Sequence, residues 1–390
     1  MRLSRLSPAL LLVTVLSGCG VDRITSPLAV QPPSGAELLA VRASGAGDTG
    51  GRGFVFTNSN AAAGNAVVSW RRGADGSLAD PVSTPTGGTG TGASLGDQGA
   101  IVADAEDGLV FAVDAGSNNV AMLRATPQGL RVLGRAASGG ERPISLTRHG
   151  ALLFVLNAGG EGNVAGFRIR PDGQLVPIPG ATRGLGGAAT GPAQVGFSPD
   201  GDHLVVTEKA ANALAVYDVA PTGALSAPHV QPSPGATPFG FAFTRIGTLV
   251  VSEAHGGMAG ASSASSYRFG PGGALVTISA AVPTHQTSAC WVAVPRSGEF
   301  AYTSNAASST LSGYRVGADG SITLLDPAGD TAHTDGGALD AAFDREGRYV
   351  YVLNGGTHTL NAYRRLSDGH LDPLSGVSGL PATSAGLAAL

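Results

Sequence analysis

The stretch AAFDREGRYVYVLNGGTHTLNAYRRLSDGHL (residues 341–371) contains the unit that decides the fold. It holds a strand of small residues ending in a tight turn at Gly347, two runs rich in β-branched and aromatic residues (349–353 and 359–363), and a glycine turn at Gly369. A fourth strand is expected after that turn. Four short strands separated by turns are the content of one propeller blade.

This unit repeats along the chain at a period of about 49 residues. Each copy carries a turn of the form Gly-x-Leu or Gly-x-Ile after two β-rich runs, and no helical periodicity competes with the pattern. The turns lie at Gly76, Gly173, Gly223, Gly273, Gly320 and Gly369, with a degenerate copy at Gly129. Seven units predict an all-β fold, a seven-bladed β-propeller over residues 51–390, whose strands a to d run outward in each blade.

The two ends of the repeat indicate how the ring closes. The first unit lacks its own inner strand, whereas Gly386–Leu390 is a spare strand at the other end. An open propeller would expose a sheet edge at each end. We therefore expect Gly386–Leu390 to lie beside Phe54–Thr57 and to complete blade 1.

Residues 1–19 are predicted to be a lipoprotein signal segment. Arg2 and Arg5 precede an apolar run at 8–16 that is too short to span a bilayer. The residues from Leu16 to Cys19 (Leu-Ser-Gly-Cys) resemble the lipobox of bacterial lipoproteins, in which the cysteine is lipidated; the alternative is an ordinary secretory signal cleaved nearby. We expect Cys19 to anchor the protein in the cell envelope, facing the periplasm or on the outer membrane, with the lipid as its only membrane contact.

Residues 20–50, rich in Gly, Ser, Pro and Ala, are predicted to be a flexible tether before the propeller.

The charge balance of the mature chain decides whether nucleic acid can be a partner. Loss of Arg2 and Arg5 with the signal would leave 22 basic against 28 acidic residues, a net charge near −6. No basic footprint remains for nucleic acid, so no nucleic-acid partner is expected.

Several motifs resemble a known family. They are Phe197-Ser198-Pro199-Asp200-Gly201, Val155-Leu156-Asn157, Asp319-Gly320-Ser321-Ile322 and Pro381-Ala382. Together they resemble, from about residue 50 to 390, the lactonase family of seven-bladed propellers, which includes bacterial 6-phosphogluconolactonases and fungal 3-carboxymuconate cyclases. The resemblance implies opening or closing of a lactone ring without a metal, and no cofactor is expected.

Two positions depart from the cyclase type of that family. This chain has Pro192-Ala193-Gln194 where the cyclases carry a His, and Ser304-Asn305-Ala306 where they carry an Arg after the Asn. A cytoplasmic sugar phosphate also does not suit an exported lipoprotein. The resemblance therefore supports family membership more strongly than it supports a family activity.

Alignment of the blades by their b strands places one polar residue at the same position in each. These residues are Asn58, Asp114, Asn157, Glu208, Glu253, Asn305 and Asn354. Short Asn and Asp side chains at such a position usually bond to the backbone of the following turn. Glu208 and Glu253 break this rule in adjacent blades, so they are candidate catalytic residues, against the alternative of structural or solvated roles.

Neighbouring residues extend this candidate site. Lys209 follows Glu208, and His255, a third catalytic candidate, lies two residues after Glu253. Links between blades lie on the same face and add further candidates, each of which can instead be an ordinary loop residue: Gln98, Arg142, Gln194, His285, Gln286, His333 and Asp335. The predicted substrate-binding set is Lys209, Asp114, Arg142, Gln98, Gln194, His285 and His333. The long glycine-rich link 86–99 is predicted to be flexible and to form a lid.

The predicted function follows from paired carboxyl groups near a histidine and cations, which shift one another's pKa toward neutrality for acid–base work. No Cys/His spacing suggests a zinc site, so no metal is expected. We expect a cell-envelope hydrolase or cyclase that acts on a small-molecule lactone derived from a sugar or an aromatic compound. The alternative is a non-catalytic propeller that binds a ligand, glycan or protein.

Overall fold

The computed structural model describes residues 53–187 and 189–390. The predicted signal segment (1–19), the lipidation site at Cys19 and the tether (20–50) lie outside these residues and stay predictions. In the described part, no helix is long and apolar enough to cross a bilayer.

The described chain consists almost entirely of short strands. In order they are β1 (Gly53–Asn58), β2 (Ala66–Arg72), β3 (Leu78–Pro85), β4 (Ile101–Asp104), β5 (Leu109–Asp114), β6 (Asn119–Thr126), β7 (Gly129–Ala137), β8 (Pro143–His149), β9 (Leu152–Asn157), β10 (Asn163–Ile169), β11 (Leu175–Gly184), β12 (Pro192–Phe197), β13 (His203–Glu208), β14 (Ala213–Asp218), β15 (His229–Pro232), β16 (Pro238–Phe243), β17 (Leu249–Glu253), β18 (Ser263–Phe269), β19 (Leu275–Pro283), β20 (Ala289–Ala293), β21 (Phe300–Asn305), β22 (Thr310–Val316), β23 (Ile322–Leu324), β24 (Ala332–His333), β25 (Ala338–Phe343), β26 (Tyr349–Asn354), β27 (Thr359–Arg365), β28 (Leu371–Ser378) and β29 (Ala385–Ala389). Two single-turn 3₁₀ helices lie at His255–Gly257 and Pro271–Gly273.

These strands form seven antiparallel sheets, one for each predicted blade. Blades 2, 3, 4, 5 and 7 each take four consecutive strands, beginning at β4, β8, β12, β16 and β25. Blade 6 consists of β20 to β23, with the short β24 pairing with β22 after a break in its outer strand. The predicted seven-bladed all-β propeller is confirmed.

The predicted turn glycines all adopt a backbone conformation that favours glycine. The φ angles of the seven lie between 74° and 122°. At Gly76 a side chain is excluded twice, because φ is 87° and a Cβ atom would lie 2.4 Å from the ring of Tyr349 in blade 7. The repeated glycines in the sequence therefore mark the turns between the c and d strands.

Blade 1 is closed by the last strand of the chain. β29 pairs antiparallel with β1, with Val55 opposite Ala389 and Thr57 opposite Leu387. The side chain of Thr57 donates a hydrogen bond to the carbonyl of Gly386 at 2.7 Å, and the amide of Leu390 donates to Phe54 O at 2.8 Å. This observed pairing of β29 with β1 is consistent with the predicted closure of blade 1.

A buried ion pair reinforces the closure. Arg72, at the end of β2, is 1% exposed, and its guanidinium lies 3.5 Å from the carboxylate of Asp344 in blade 7. The same side chain approaches the carbonyl of Leu390 at 3.4 Å. Arg72 therefore joins blade 1, blade 7 and the closing strand.

Replacement of Arg72 by Met is expected to lower the free energy of unfolding by about 3 kcal/mol, because Asp344 would stay buried without its countercharge. Urea unfolding of the variant measures this loss. Arg71→Met is the matched control, since Arg71 is the neighbouring arginine and its contacts are with Pro127 and the ring of Phe54. Equal losses in the two variants would contradict the role of the buried pair.

Candidate functional site

The link from Thr86 to Gly99 crosses one end of the central channel. Asn60 holds its middle part, because its side chain donates to the carbonyl of Ala93 at 2.6 Å and accepts from the amide of Thr91 at 2.9 Å. Leu95 is buried where the link turns inward. The link therefore lies over the channel on the face of the b-to-c turns.

The inner end of this link is fixed by residues from two other blades. Lys209 donates a hydrogen bond to the carbonyl of Gly96, and its ammonium lies 4.6 Å from the centre of the Phe239 ring. The indole of Trp291 donates to the carbonyl of Asp97 at 2.6 Å.

Gln98 spans the channel with its side-chain amide. Its Nε2 donates to the carbonyl of Val292 at 2.7 Å, and its Oε1 accepts from the amide of Val292 at 3.0 Å. Gly240 makes room for this contact, because a Cβ atom there would lie 2.1 Å from Gln98 Oε1. The predicted lid is thus observed as a plug tied by specific hydrogen bonds, which differs from the expected flexible link.

The other half of the channel is an open cavity of about 410 Å³. It extends from Gln98, Gln194 and Asp340 at its inner end toward the C-terminal ends of the inner strands. Those ends lead into the a-to-b turns, so the cavity opens on the face opposite to the one that the sequence analysis favoured. His149, at the end of β8, is exposed on that face.

Asp340 lines the inner end of this cavity and takes part in a repeated contact. Along the channel, a side chain of one inner strand accepts the amide hydrogen of the next inner strand: Thr147 from Phe197 (3.0 Å), Gln194 from Phe241 (2.6 Å) and Asp340 from Leu387 (3.2 Å). Neutral side chains serve at the first two positions. A carboxyl group at the third is therefore not required by the fold.

The environment of Asp340 makes it a group that can exchange a proton at neutral pH. Burial raises the pKa of Asp340 to about 7, although backbone amides of Gly99, Leu387 and Ala341 donate to the carboxylate and oppose this rise. The side chain is nearly fully buried. Acid–base catalysts in enzymes commonly have a pKa near the working pH.

Asp97 forms a second carboxyl group beside Asp340. Burial and the charge of Asp340 raise the pKa of Asp97 well above its ordinary value, and Lys209 and Arg142 partly offset the rise. The Oδ2 atom of Asp97 is buried without a hydrogen-bond partner among the described residues. These surroundings disfavour a second negative charge on Asp97 beside Asp340.

Four predicted site residues thus lie around the channel: Gln98, Gln194, Lys209 and Arg142. Arg142 has a φ of 52° and its amide donates to Asn118 at 2.7 Å, which fixes the link into blade 3. Gln194 pairs with the backbone of Phe241 through both atoms of its amide. These contacts position the inner strands around Asp97 and Asp340.

The ring of b-strand ends has a different location. Asp114 accepts hydrogen bonds from Asn65 (2.8 Å) and Thr86 (2.6 Å), and Asn157 donates to the carbonyl of Ser138 (3.2 Å). These side chains therefore reach the link that precedes their own blade, whereas the sequence analysis expected contacts with the following turn. Burial raises the pKa of Asp114, against the effect of these two donors.

Glu208 follows the same arrangement. Its Oε1 accepts from the amide of Gly186 at 2.7 Å, in the link before blade 4, and its Oε2 is buried without a partner among the described residues. Burial raises the pKa of Glu208, and the Gly186 amide partly opposes this. The Glu208 side chain therefore also reaches the link before its own blade, at a glycine amide.

Glu253 and His255 are brought together through a serine that the sequence analysis did not single out. Oε1 of Glu253 accepts from Ser265 (2.5 Å), Gly235 (3.0 Å) and Ser233 (3.2 Å), while Oε2 accepts from Ser263. Nε2 of the half-buried His255 lies 2.9 Å from Ser263 Oγ. Hydrogen bonds therefore connect the buried carboxylate of Glu253, through Ser263, to His255 on the face of the b-to-c turns.

The two remaining predicted residues lie at the surface. His285 is exposed with a φ of 58°. The side chain of His333 is 77% exposed and lies 3.9 Å from Asp330, beside a separate groove of about 440 Å³ between blades 6 and 7. Neither residue lines the central cavity. Across residues 53–187 and 189–390, no group of three or more His, Cys, Asp and Glu side chains is arranged to hold a metal ion.

Asp97 and Asp340 are not among the site residues predicted from the sequence. Asp340 does carry a signal, because it is a carboxylate inside an inner strand built of small apolar residues, Ala338 to Phe343. Asp97 precedes the predicted Gln98, but nothing local distinguishes it from a solvated loop residue. Both become visible only when the link and two distant strands are placed together.

Comparison with known proteins supports the same architecture. The sequence model of a family described as "Lactonase, 7-bladed beta-propeller" matches residues 173–257. No curated protein matches the sequence.

Several solved structures share the fold. A protein from Lactobacillus plantarum has a TM-score of 0.69 at 19% identity, over 87% of this chain and 99% of that one. A putative 6-phosphogluconolactonase from Bacteroides fragilis has a TM-score of 0.67 at 17% identity, over 87% and 98%. The periplasmic gluconolactonase of Pseudomonas aeruginosa has a TM-score of 0.67 at 19% identity, over 87% and 99%. At these identities the likeness is one of fold.

Proposed function

We propose that this chain is a lactonase-family propeller of the cell envelope that hydrolyses a lactone in its central channel. The observation that carries the proposal is Asp340, a buried carboxyl group with a pKa of about 7 at the inner end of an open cavity. The lactonase model match at 173–257 and the names of two solved relatives support the reaction class. The periplasmic relative supports an extracytoplasmic location, and Cys19 is the proposed anchor.

The reaction needs one group that takes and returns a proton. Because the pKa of Asp340 is about 7, its carboxyl group can exchange a proton at neutral pH. The ionised form accepts a proton from a water molecule that attacks the lactone carbonyl. The ring C–O bond then breaks, and the proton passes from Asp340 to the ring oxygen as that oxygen leaves. Water is thereby added across the acyl C–O bond, and Asp340 returns to its starting state.

The residues around Asp340 serve this step by position and charge. The plug residue Gln98 closes the channel behind the carboxyl group and excludes bulk water from that side. Burial and the charge of Asp340 raise the pKa of Asp97, which disfavours a second negative charge beside Asp340. A second hypothesis keeps the sequence-derived candidates, in which Glu208, Glu253 and His255 carry the chemistry from the ring face through Ser263.

The two hypotheses predict opposite results for matched amide variants. Asp340→Asn is expected to lower kcat for lactone hydrolysis by about 10²-fold or more, the size expected for loss of a general base. Glu208→Gln, which keeps the acceptor for Gly186, and Glu253→Gln are expected to retain turnover if they fold. Release of acid from a panel of lactones measures the rates, and melting temperatures separate lost chemistry from lost folding.

The outcomes divide cleanly. If a folded Asp340→Asn variant keeps full turnover while Glu208→Gln or Glu253→Gln loses it, the reaction belongs to the ring of b-strand ends. If the parent protein hydrolyses none of the lactones, the propeller is a binding module, and the hydrolase proposal fails.

A further inference from the structure

The side chains that line the open cavity are mainly apolar. Phe197, Phe243 and Phe343 lie at the ends of three inner strands and form its mouth, with small alanines between them. Phe243 and Phe343 are half-buried: the ring of Phe243 packs against Phe241 and Phe269, and the ring of Phe343 packs against Tyr302. Asp340 is the one charged residue in the lining, and no Lys, Arg or His joins it from the described part of the chain.

The polar side chains of the lining are already engaged. The amides of Gln98 and Gln194 each pair with a backbone segment on another strand through both of their polar atoms. Thr147 accepts the amide hydrogen of Phe197. A sugar lactone with several hydroxyl groups would have few free side-chain partners here besides Asp340, and a phosphate would meet Asp340 without a cation among the lining residues.

We propose that the substrate of the channel is a neutral lactone with an apolar substituent, an aryl ring or an alkyl chain. It approaches from the face of the a-to-b turns, places the lactone ring at Asp340 and lays the substituent against Phe243 and Phe343. This assignment rests on the proposed lactone hydrolysis for the role of Asp340, and it adds the substrate class, the direction of approach and two specificity-determining residues.

A binding experiment tests the substrate class apart from catalysis. Lactams keep the ring and carbonyl of a lactone but resist hydrolysis, so we choose a phenyl-substituted δ-lactam and the δ-lactam of gluconic acid as probes. Calorimetry on the full chain is expected to give at least tenfold tighter binding of the phenyl probe. Equal binding, or tighter binding of the gluconic probe, would overturn the assignment even if lactone hydrolysis is found.

Variants at the mouth locate the bound probe. Phe243→Ala and Phe343→Ala are each expected to weaken binding of the phenyl lactam by about tenfold, through lost apolar and aromatic contact. Phe54→Ala is the matched control, since Phe54 is half-buried in blade 1 and does not line the cavity. Unchanged binding in both mouth variants would place the probe elsewhere and overturn the assignment.

The same variants separate this inference from the proposed function. In a hydrolysis assay the mouth variants are expected to raise KM for a phenyl lactone with little change in kcat, whereas Asp340→Asn lowers kcat. If the parent hydrolyses no lactone, the proposed function fails, and the lactam binding still decides whether the cavity takes an apolar ring ligand. If the parent hydrolyses gluconolactone faster than the phenyl lactone, the function stands and the substrate class is overturned.

Discussion

A chain that lacks Gly386–Leu390 is expected to lose most of its folded population under conditions where the full chain is stable. The deletion removes the inner strand of blade 1, so that β1 becomes an unpaired sheet edge. It also removes the buried side chain of Leu387 and the backbone amide of Leu387, which donates a hydrogen bond to the Asp340 carboxylate. Several losses therefore fall on the same interface between the first and last blades.

The comparison variant is Leu387→Ala in the full chain, which keeps the backbone pairing of β29. Its loss should be about 2–3 kcal/mol, the ordinary result of truncating a buried leucine. Thermal unfolding and the rate of proteolysis are the measurements. If the deletion costs no more than the alanine variant, the strand pairing of β29 does not hold the ring closed.

The propeller architecture was predictable because it depends on local sequence features that repeat along the chain. Gly76, Gly173 and their equivalents recur at one period, and each occupies the same turn because only glycine adopts its φ without strain. The closing strand was predictable from a deficit, because the first unit lacks the inner strand that Gly386–Leu390 provides. Neither inference needs knowledge of distant contacts.

The site was predictable only in part, because its contacts join distant segments. The sequence shows that link 86–99 is long and rich in glycine, but not that Trp291 and Lys209 hold its inner end, at separations of 194 and 113 residues. Alignment of the b strands did place Glu208 and Glu253 at one equivalent position. It did not reveal that the side chains of Glu208 and Glu253 reach the link that precedes their own blade.

The stability of the propeller is expected to fall as the pH rises from about 4 to about 7, through Asp340. Burial raises the pKa of this carboxyl from 3.8 to about 7 in the folded chain. Between these values the folded state holds a proton that the unfolded state has released. The stabilisation is therefore fully present below about pH 4 and is lost as the pH rises through 7, by about 4 kcal/mol.

Other carboxyl groups titrate in the same range, so the measurement is a difference between matched proteins. Asp340→Asn has the shape of the protonated acid and stays neutral, and it also relieves Asp97 of a neighbouring charge. The free energy of urea unfolding of this variant, relative to the parent, should rise by about 4 kcal/mol between pH 4 and pH 8. Asp80→Asn, at an exposed position, should show no such change relative to the parent. Parallel stability curves for the parent and Asp340→Asn would show that Asp340 ionises normally, and would remove the basis for its role as the general base.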